Sequence, residues 1–145
     1  VLFRSMIDYY EIPISQIGNI KNGADYVTPE GTVIANIRLT TPSAPPRSYA
    51  YCSDTRFNPN NVQYLKNIDL LFHEATFAES EAARAEQTHH STARQAAEMA
   101  HLCDAKRLLI GHFSARYNDE YPLLEEACNA FPKTELAREG MTIRL

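Results

Sequence analysis

Apolar residues follow two rhythms along this chain. From Arg47 onward, short unbroken greasy runs alternate with stretches spaced for helices. Arg47–Ser53, Ile68–Glu74 and Arg107–Gly111 read as strands, and Ile68–Glu74 is apolar enough to be buried on both faces. Between the runs, Asn60–Asn67 predicts a short helix capped by Asn58 or Asn60. Thr92–Leu102 predicts a longer one, with Thr92 and Gln95 as a capping box and Ala96, Met99 and Ala100 as its inner stripe. Asp119–Ala130 predicts another, with Pro122 in its first turn. The last dozen residues predict two short strands around Glu139-Gly140. Strands alternating with helices define an α/β layer.

Before Arg47 the rhythm is broken. Met6–Ile17 predicts a short helix and a turn around Pro13. Lys21–Asn36 has turn points at Gly23 and Gly31 and predicts short strands. Thr41–Pro46 contains Pro42, Pro45 and Pro46 and predicts a stiff connector without regular structure. The first five residues, VLFRS, read as the translated end of a sequencing adaptor. On that reading they are a non-native leader, and Met6 is an internal residue of a longer protein. The expected organisation is a leader over 1–5, an arm and connector over 6–46, and an α/β layer over 47–145.

Composition narrows the function classes. A 145-residue chain with 44% hydrophobic residues suits one domain, or half of a larger two-layered one. The net charge of -4 disfavours nucleic acid in bulk, so any RNA contact needs a local basic patch, for which Lys21, Arg38 and Arg47 are the candidates. Cys52, Cys103 and Cys128 are odd in number and lack CxxC spacing, so they read as free thiols in a reducing cytoplasm. No run is long enough to span a membrane.

Four stretches end an apolar run, or open a helix, with groups suited to metal or proton chemistry: YAYCSDT, IDLLFHEATF, HHSTARQAAEMA and RLLIGHFSARY. Asp54 follows a strand and offers a hard carboxylate; the same residue would also serve as a turn Asp. His73 and Glu74 end the second strand and, being adjacent, point to opposite faces. They form either part of a polar site or a pair that closes the sheet. His90 precedes the capped helix, whose N-terminus favours phosphate; its neighbour His89 reads as solvent-exposed. His112 emerges after Gly111, as a zinc ligand or as a satisfied turn residue. His101 reads as structural or exposed. Together, Asp54, Glu74, His90 and His112 are the parts of a metal-assisted phosphodiesterase, with a histidine to protonate or stabilise the leaving oxygen.

SDT, HEATF, HST opening a helix and GHFSARY, in this order and spacing, resemble the C-terminal half of ribonuclease Z, the tRNA 3′-processing endonuclease of the metallo-β-lactamase fold. The resemblance extends from about Met6 to the end. It implies the C-terminal half of an αββα sandwich, an α/β fold with Asp54, Glu74 and His112 on one rim of a sheet. It implies that Asp54 bridges two zinc ions, that His112 ligates one of them, and that His90 assists the leaving group. It further implies that Glu74 orients His90 and that His73 lies just behind the site. The expected activity of the intact parent is removal of 3′ trailers from precursor tRNA, by a cytoplasmic homodimer whose one subunit grips tRNA for the other's active site. The family's HxHxDH motif is absent from this chain, and so is the Gly-Pro pair often found in its tRNA-gripping arm. With two ligands the chain alone is expected to be inactive and to bind zinc poorly, since zinc takes at least three protein ligands. The rival expectations are another phosphodiesterase or ester hydrolase on this scaffold, and a non-catalytic binding module.

Overall fold

Pro13 and two turn glycines organise the first part of the chain. In the computed structural model, which describes all 145 residues, Val1–Pro46 and Arg47–Leu145 are separate compact units. In the first unit, α1 (Arg4–Tyr9) stops short of Pro13, and α2 (Ile14–Lys21) starts directly after it. The single helix and turn expected over Met6–Ile17 is therefore two helices, because Pro13 cannot continue the first but suits the start of the second. β1 (Tyr26–Val27) and β2 (Val33–Ile34) pair antiparallel. Gly31, with φ at +85°, closes their turn. α3 (Asn36–Leu39) was not foreseen from the pattern. Asn36 ties it down: its side-chain amide donates to the carbonyls of Ile20 at 2.7 Å and Ala24 at 2.8 Å. The unit has its own small core of Ile12, Ile20, Tyr26, Ile34 and Leu39. At its start the Phe3 N–H donates to the Leu39 carbonyl at 3.0 Å.

The second unit is built on one parallel sheet. β3 (Tyr49–Cys52), β4 (Leu70–Glu74), β5 (Leu108–Gly111) and β6 (Thr134–Leu136) lie side by side in chain order. Each neighbouring pair is parallel, with Cys52 beside His73 and Glu74 beside Gly111. Parallel neighbours require crossovers. The first runs through α4 (Val62–Leu65), the second through α5 (Ala82–Thr88) and α6 (Ala93–Leu102), the third through α7 (Tyr121–Ala130).

The expected apolar stripes decide how these layers pack. Ala96, Met99 and Ala100 of α6 join Leu123 and Ala127 of α7 against Leu71, Leu108 and Ile110 of the sheet. Leu71, Leu108, Ile110 and Leu123 have no exposed surface, and each such side chain contributes roughly 1.5–3 kcal/mol of transfer free energy. The capping box at Thr92 and Gln95 is formed, and losing such a cap costs about 1 kcal/mol. The opposite face of the sheet is thinner. Leu70, Phe72 and Leu109 cluster there with Ala137 and Ile143, and Tyr51 stacks on Phe72 at 4.5 Å between ring centroids. β4 is buried on both faces along its length.

The C-terminal segment departs from expectation. Only Thr134–Leu136 forms a strand. Gly140, at φ +75°, turns the chain, and Ile143 packs against the Leu70–Phe72–Leu109 cluster rather than pairing in a sheet.

Candidate active site

The C-terminal ends of three adjacent strands bring the polar residues together. β3 ends at Cys52 and β5 at Gly111. Asp54 and His112 follow them with left-handed backbones, φ 48° and 60°. β4, between them, ends at Glu74. His90 comes from the turn that joins α5 to α6. There His89 adopts φ 60° and caps α5, which lets the next residue reverse toward the sheet.

Glu74 is the hub. It has no exposed surface, and both carboxylate oxygens are saturated. Oε1 accepts from the Thr55 N–H at 2.6 Å and from His90 Nδ1 at 2.9 Å. Oε2 accepts from the Thr76 hydroxyl at 2.6 Å and from the Ser91 N–H at 3.1 Å. A buried carboxylate without such donors would cost several kcal/mol. Burial is the largest single influence on its pKa and pushes it up. The bonds from Thr76, His90, Ser91 and Thr55 together outweigh burial, so the net direction is down. Glu74 thereby fixes three things: the loop bearing Asp54 through Thr55, the His90 ring, and the start of α6 through Ser91. Ser91 adds a second tie, its hydroxyl donating to the Thr55 carbonyl at 2.7 Å.

Asp54 and His112 meet outside this hub. Oδ1 of Asp54 lies 3.1 Å from Nε2 of His112. His90 completes a group: one donor atom from each of Asp54, His90 and His112 lies within 4.8 Å of the others. Donors on one tetrahedral zinc stand roughly 3.3 Å apart for bonds near 2 Å, so the Asp54–His112 spacing fits a shared ion. The carboxylate and neutral imidazole are also the donor types zinc takes. Their side chains are 75% and 42% exposed, so an ion or substrate has access from solvent.

The other sequence candidates lie elsewhere. His73 is buried, and alternation puts it on the helix-covered face with Leu71, away from Glu74's side chain. Its Nδ1 turns back to the Glu74 carbonyl at 2.8 Å, and burial, outweighing the pull of Glu74, lowers its pKa. His89 and His101 are exposed. All three cysteines are free thiols. Thr76 was not singled out from the sequence. Its hydroxyl touches Glu74, His112 and His90 at once. The available signal was position: two residues past Glu74 in an extended segment, hence on the same face.

A parallel sheet with helices on one face and a cluster of carboxylate and imidazole groups at its C-terminal rim has the layout of one half of a metallo-β-lactamase fold. The metallo-β-lactamase fold protein YhfI from Bacillus subtilis superposes with a TM-score of 0.60 at 22% identity, over 64% of this chain and 38% of that one. By sequence, the chain is similar to the ribonuclease Z of Bacteroides thetaiotaomicron, 59% identical over 144 residues, and of Porphyromonas gingivalis, 52% identical over 144 residues. These alignments take in 99% of this chain but 46% and 47% of the relatives, so the chain spans about half their length. No protein-family model matches the chain. No helix is long and apolar enough to cross a membrane.

Proposed function

We propose that this chain supplies the leaving-group side, and part of the zinc site, of a tRNA 3′-processing endoribonuclease of the ribonuclease Z type. The observation that carries the reading is the His90–Glu74 pair beside the Asp54–His112 pair. Asp54 and His112 hold zinc in the whole protein, with further ligands from the part outside this chain. Bound there, zinc supplies Lewis acidity toward the scissile phosphate. Glu74 accepts the Nδ1 hydrogen of His90 and keeps the ring aimed. The protonated Nε2 of His90 then gives its hydrogen to the departing 3′ oxygen of the tRNA. The arm and connector over 6–46, with Lys21 and Arg38 exposed, is the part that contacts tRNA. The protein works as a cytoplasmic homodimer in which one subunit holds tRNA for the other.

The test is an assay of the whole protein on precursor tRNA and on bis(p-nitrophenyl) phosphate, with zinc present and with zinc chelated. Zinc-dependent cutting at the tRNA 3′ end is expected. Strong turnover of the small ester with no cut in tRNA favours a general ester hydrolase instead, and no turnover of either favours a binding module. The isolated chain is expected to be inactive and to hold zinc weakly. Tight stoichiometric zinc in it would contradict that division of ligands.

A further inference from the structure

Thr76 has one hydroxyl proton and four polar neighbours. They are Glu74 Oε2 at 2.6 Å, the His112 carbonyl at 2.9 Å, His112 Nδ1 at 3.0 Å and His90 Nδ1 at 3.4 Å. The residue is 6% exposed, so water does not replace any of them freely. An ionised carboxylate can only accept, and it is the nearest and strongest acceptor. The hydroxyl proton therefore goes mainly to Glu74, with the His112 carbonyl as the lesser acceptor, and Thr76 Oγ1 has only acceptor capacity left for its other neighbours. His90 Nδ1 has its hydrogen committed to Glu74 Oε1 at 2.9 Å. At 3.4 Å from Thr76 it is beyond a good bond. The partner that must donate is His112 Nδ1. With a hydrogen held on Nδ1, Nε2 is the nitrogen that faces Asp54, 3.1 Å away, and that contact is favourable with a second hydrogen on Nε2 or with a cation shared by the two groups.

We infer that Thr76 is a positioning residue: it passes the polarity of buried Glu74 on to His112, holds a hydrogen on Nδ1, and so keeps Nε2 as the nitrogen that meets Asp54 or an ion shared with it. One buried carboxylate would then orient both imidazoles, His90 directly and His112 through a hydroxyl. Outer partners of this kind fix the tautomer and the ring plane of a metal-binding histidine. That purpose depends on the reading of Asp54 and His112 as zinc ligands; the hydrogen-bond order at Thr76 does not.

The test uses the chain labelled with 15N in its histidine rings, compared with Thr76→Val and Thr76→Ser. Valine keeps the shape and removes the hydroxyl, whereas serine keeps the hydroxyl. Long-range proton–nitrogen correlations report which ring nitrogen of His112 carries hydrogen. The expected result is a protonated Nδ1 in the parent chain and in Thr76→Ser. In Thr76→Val Nδ1 loses its hydrogen, and Nε2, facing Asp54, is the nitrogen that carries one. A bare Nδ1 in the parent chain, or identical spectra for all three proteins, overturns the inference. Zinc ions titrated into the whole protein, labelled and substituted in the same way, separate the two readings. A protonated Nδ1 with no zinc response at His112 defeats the metal assignment and leaves the role of Thr76 standing. A zinc response at Nε2 that Thr76→Val leaves unaltered, with no hydrogen shift, defeats the role of Thr76 alone.

Discussion

Asp54 and His112 are carried by strands that do not touch, yet Oδ1 of one lies 3.1 Å from Nε2 of the other. β4 runs between their two strands. The gap is closed because both residues turn left-handed just past the strand ends, at φ 48° and 60°. Asp and His tolerate that region better than most side chains, but it still costs of order 1 kcal/mol or more per residue. Two such turns aimed at each other place local strain where charge has to be gathered.

The first prediction separates the roles of the pair and of His90 in the whole protein. Asp54→Ala is expected to lose zinc and nearly all cleavage. His90→Ala is expected to keep zinc and slow cleavage by roughly 10²–10⁴-fold, the usual worth of a positioned acid. Zinc content by mass spectrometry, alongside single-turnover cleavage, checks both. Equal zinc loss in the two variants overturns the division.

Glu74 makes a second prediction, about stability and pH. Its pKa is lowered in the folded state, because the donors outweigh burial. The unfolded chain therefore binds a proton more readily than the folded one. Stability from Glu74 is present above the ordinary carboxylate value and is lost as pH falls through the lowered folded value. Glu74→Gln puts an amide NH₂ in place of one carboxylate oxygen, against two of the four donors, and a buried mismatch of that kind costs about 1–3 kcal/mol. Urea midpoints against pH should drop for Glu74→Gln at neutral pH and converge with the unsubstituted chain in acid. A constant gap at every pH would contradict the account.

How far the sequence revealed this site is visible in that same residue. The strand ending in Glu74 was legible because an apolar run of that length has few other uses. The capped helix after His90 was legible because its signals are local. The hub was not: its donors Thr55, Thr76 and Ser91 come from three loops, up to nineteen residues away in sequence. Two helices escaped for a related reason. Ala82–Thr88 consists of good helix formers with only Ala85 buried, so it has no apolar stripe to read. Asn36–Leu39 forms through the tertiary hydrogen bonds of Asn36. The second strand expected beyond Gly140 lacks a pairing partner, and Ile143 gains burial on the sheet face instead.

The opposite end of the sheet yields a third prediction. Asp69, just before β4, accepts from Lys106 Nζ at 2.6 Å and from the Ser48 N–H and hydroxyl at 2.8 and 2.9 Å. The Lys106 bond leads the causes that hold its pKa down at about 2. Its contribution is complete above the ordinary Asp value, about 3.9, and disappears as pH falls from there through about 2. Asp69→Asn should flatten the stability profile across that acid window and change little in its slope above it. An unchanged acid slope would show that the Ser48–Asp69–Lys106 tie does not couple to folding.

The thin face of the sheet makes a fourth. Tyr49 and Tyr51 are 50% and 64% exposed along the edge strand, beside the cluster of Leu70, Phe72 and Leu109. An aromatic face of this kind marks an interaction surface or an aggregation liability. The isolated chain is expected to bind anilinonaphthalene sulfonate and to aggregate at moderate concentration. Tyr49→Thr with Tyr51→Thr should reduce both. Monodisperse, dye-silent behaviour of the unsubstituted chain in light scattering would mean that the face is not sticky.

Gly111 carries the last prediction, because it joins packing to the site. A Cβ added there would sit 3.0 and 3.1 Å from ring atoms of Phe72 and 3.1 Å from Cβ of Ala137. The ring is pinned from its other side by Tyr51, stacked at 4.5 Å, so it has little room to retreat. Gly111→Ala must push β5 away from Phe72 or rotate the ring, and overpacking of this sort costs about 1–3 kcal/mol. The next residue is His112, whose left-handed turn starts from that position. Gly111→Ala is therefore expected to lower stability and to move His112 relative to Asp54, weakening zinc uptake in the whole protein beyond what the stability loss alone explains. Pairing it with Phe72→Leu, which clears the ring, should restore both together. Recovery of stability without recovery of zinc uptake would show that Gly111 serves the core and not the site.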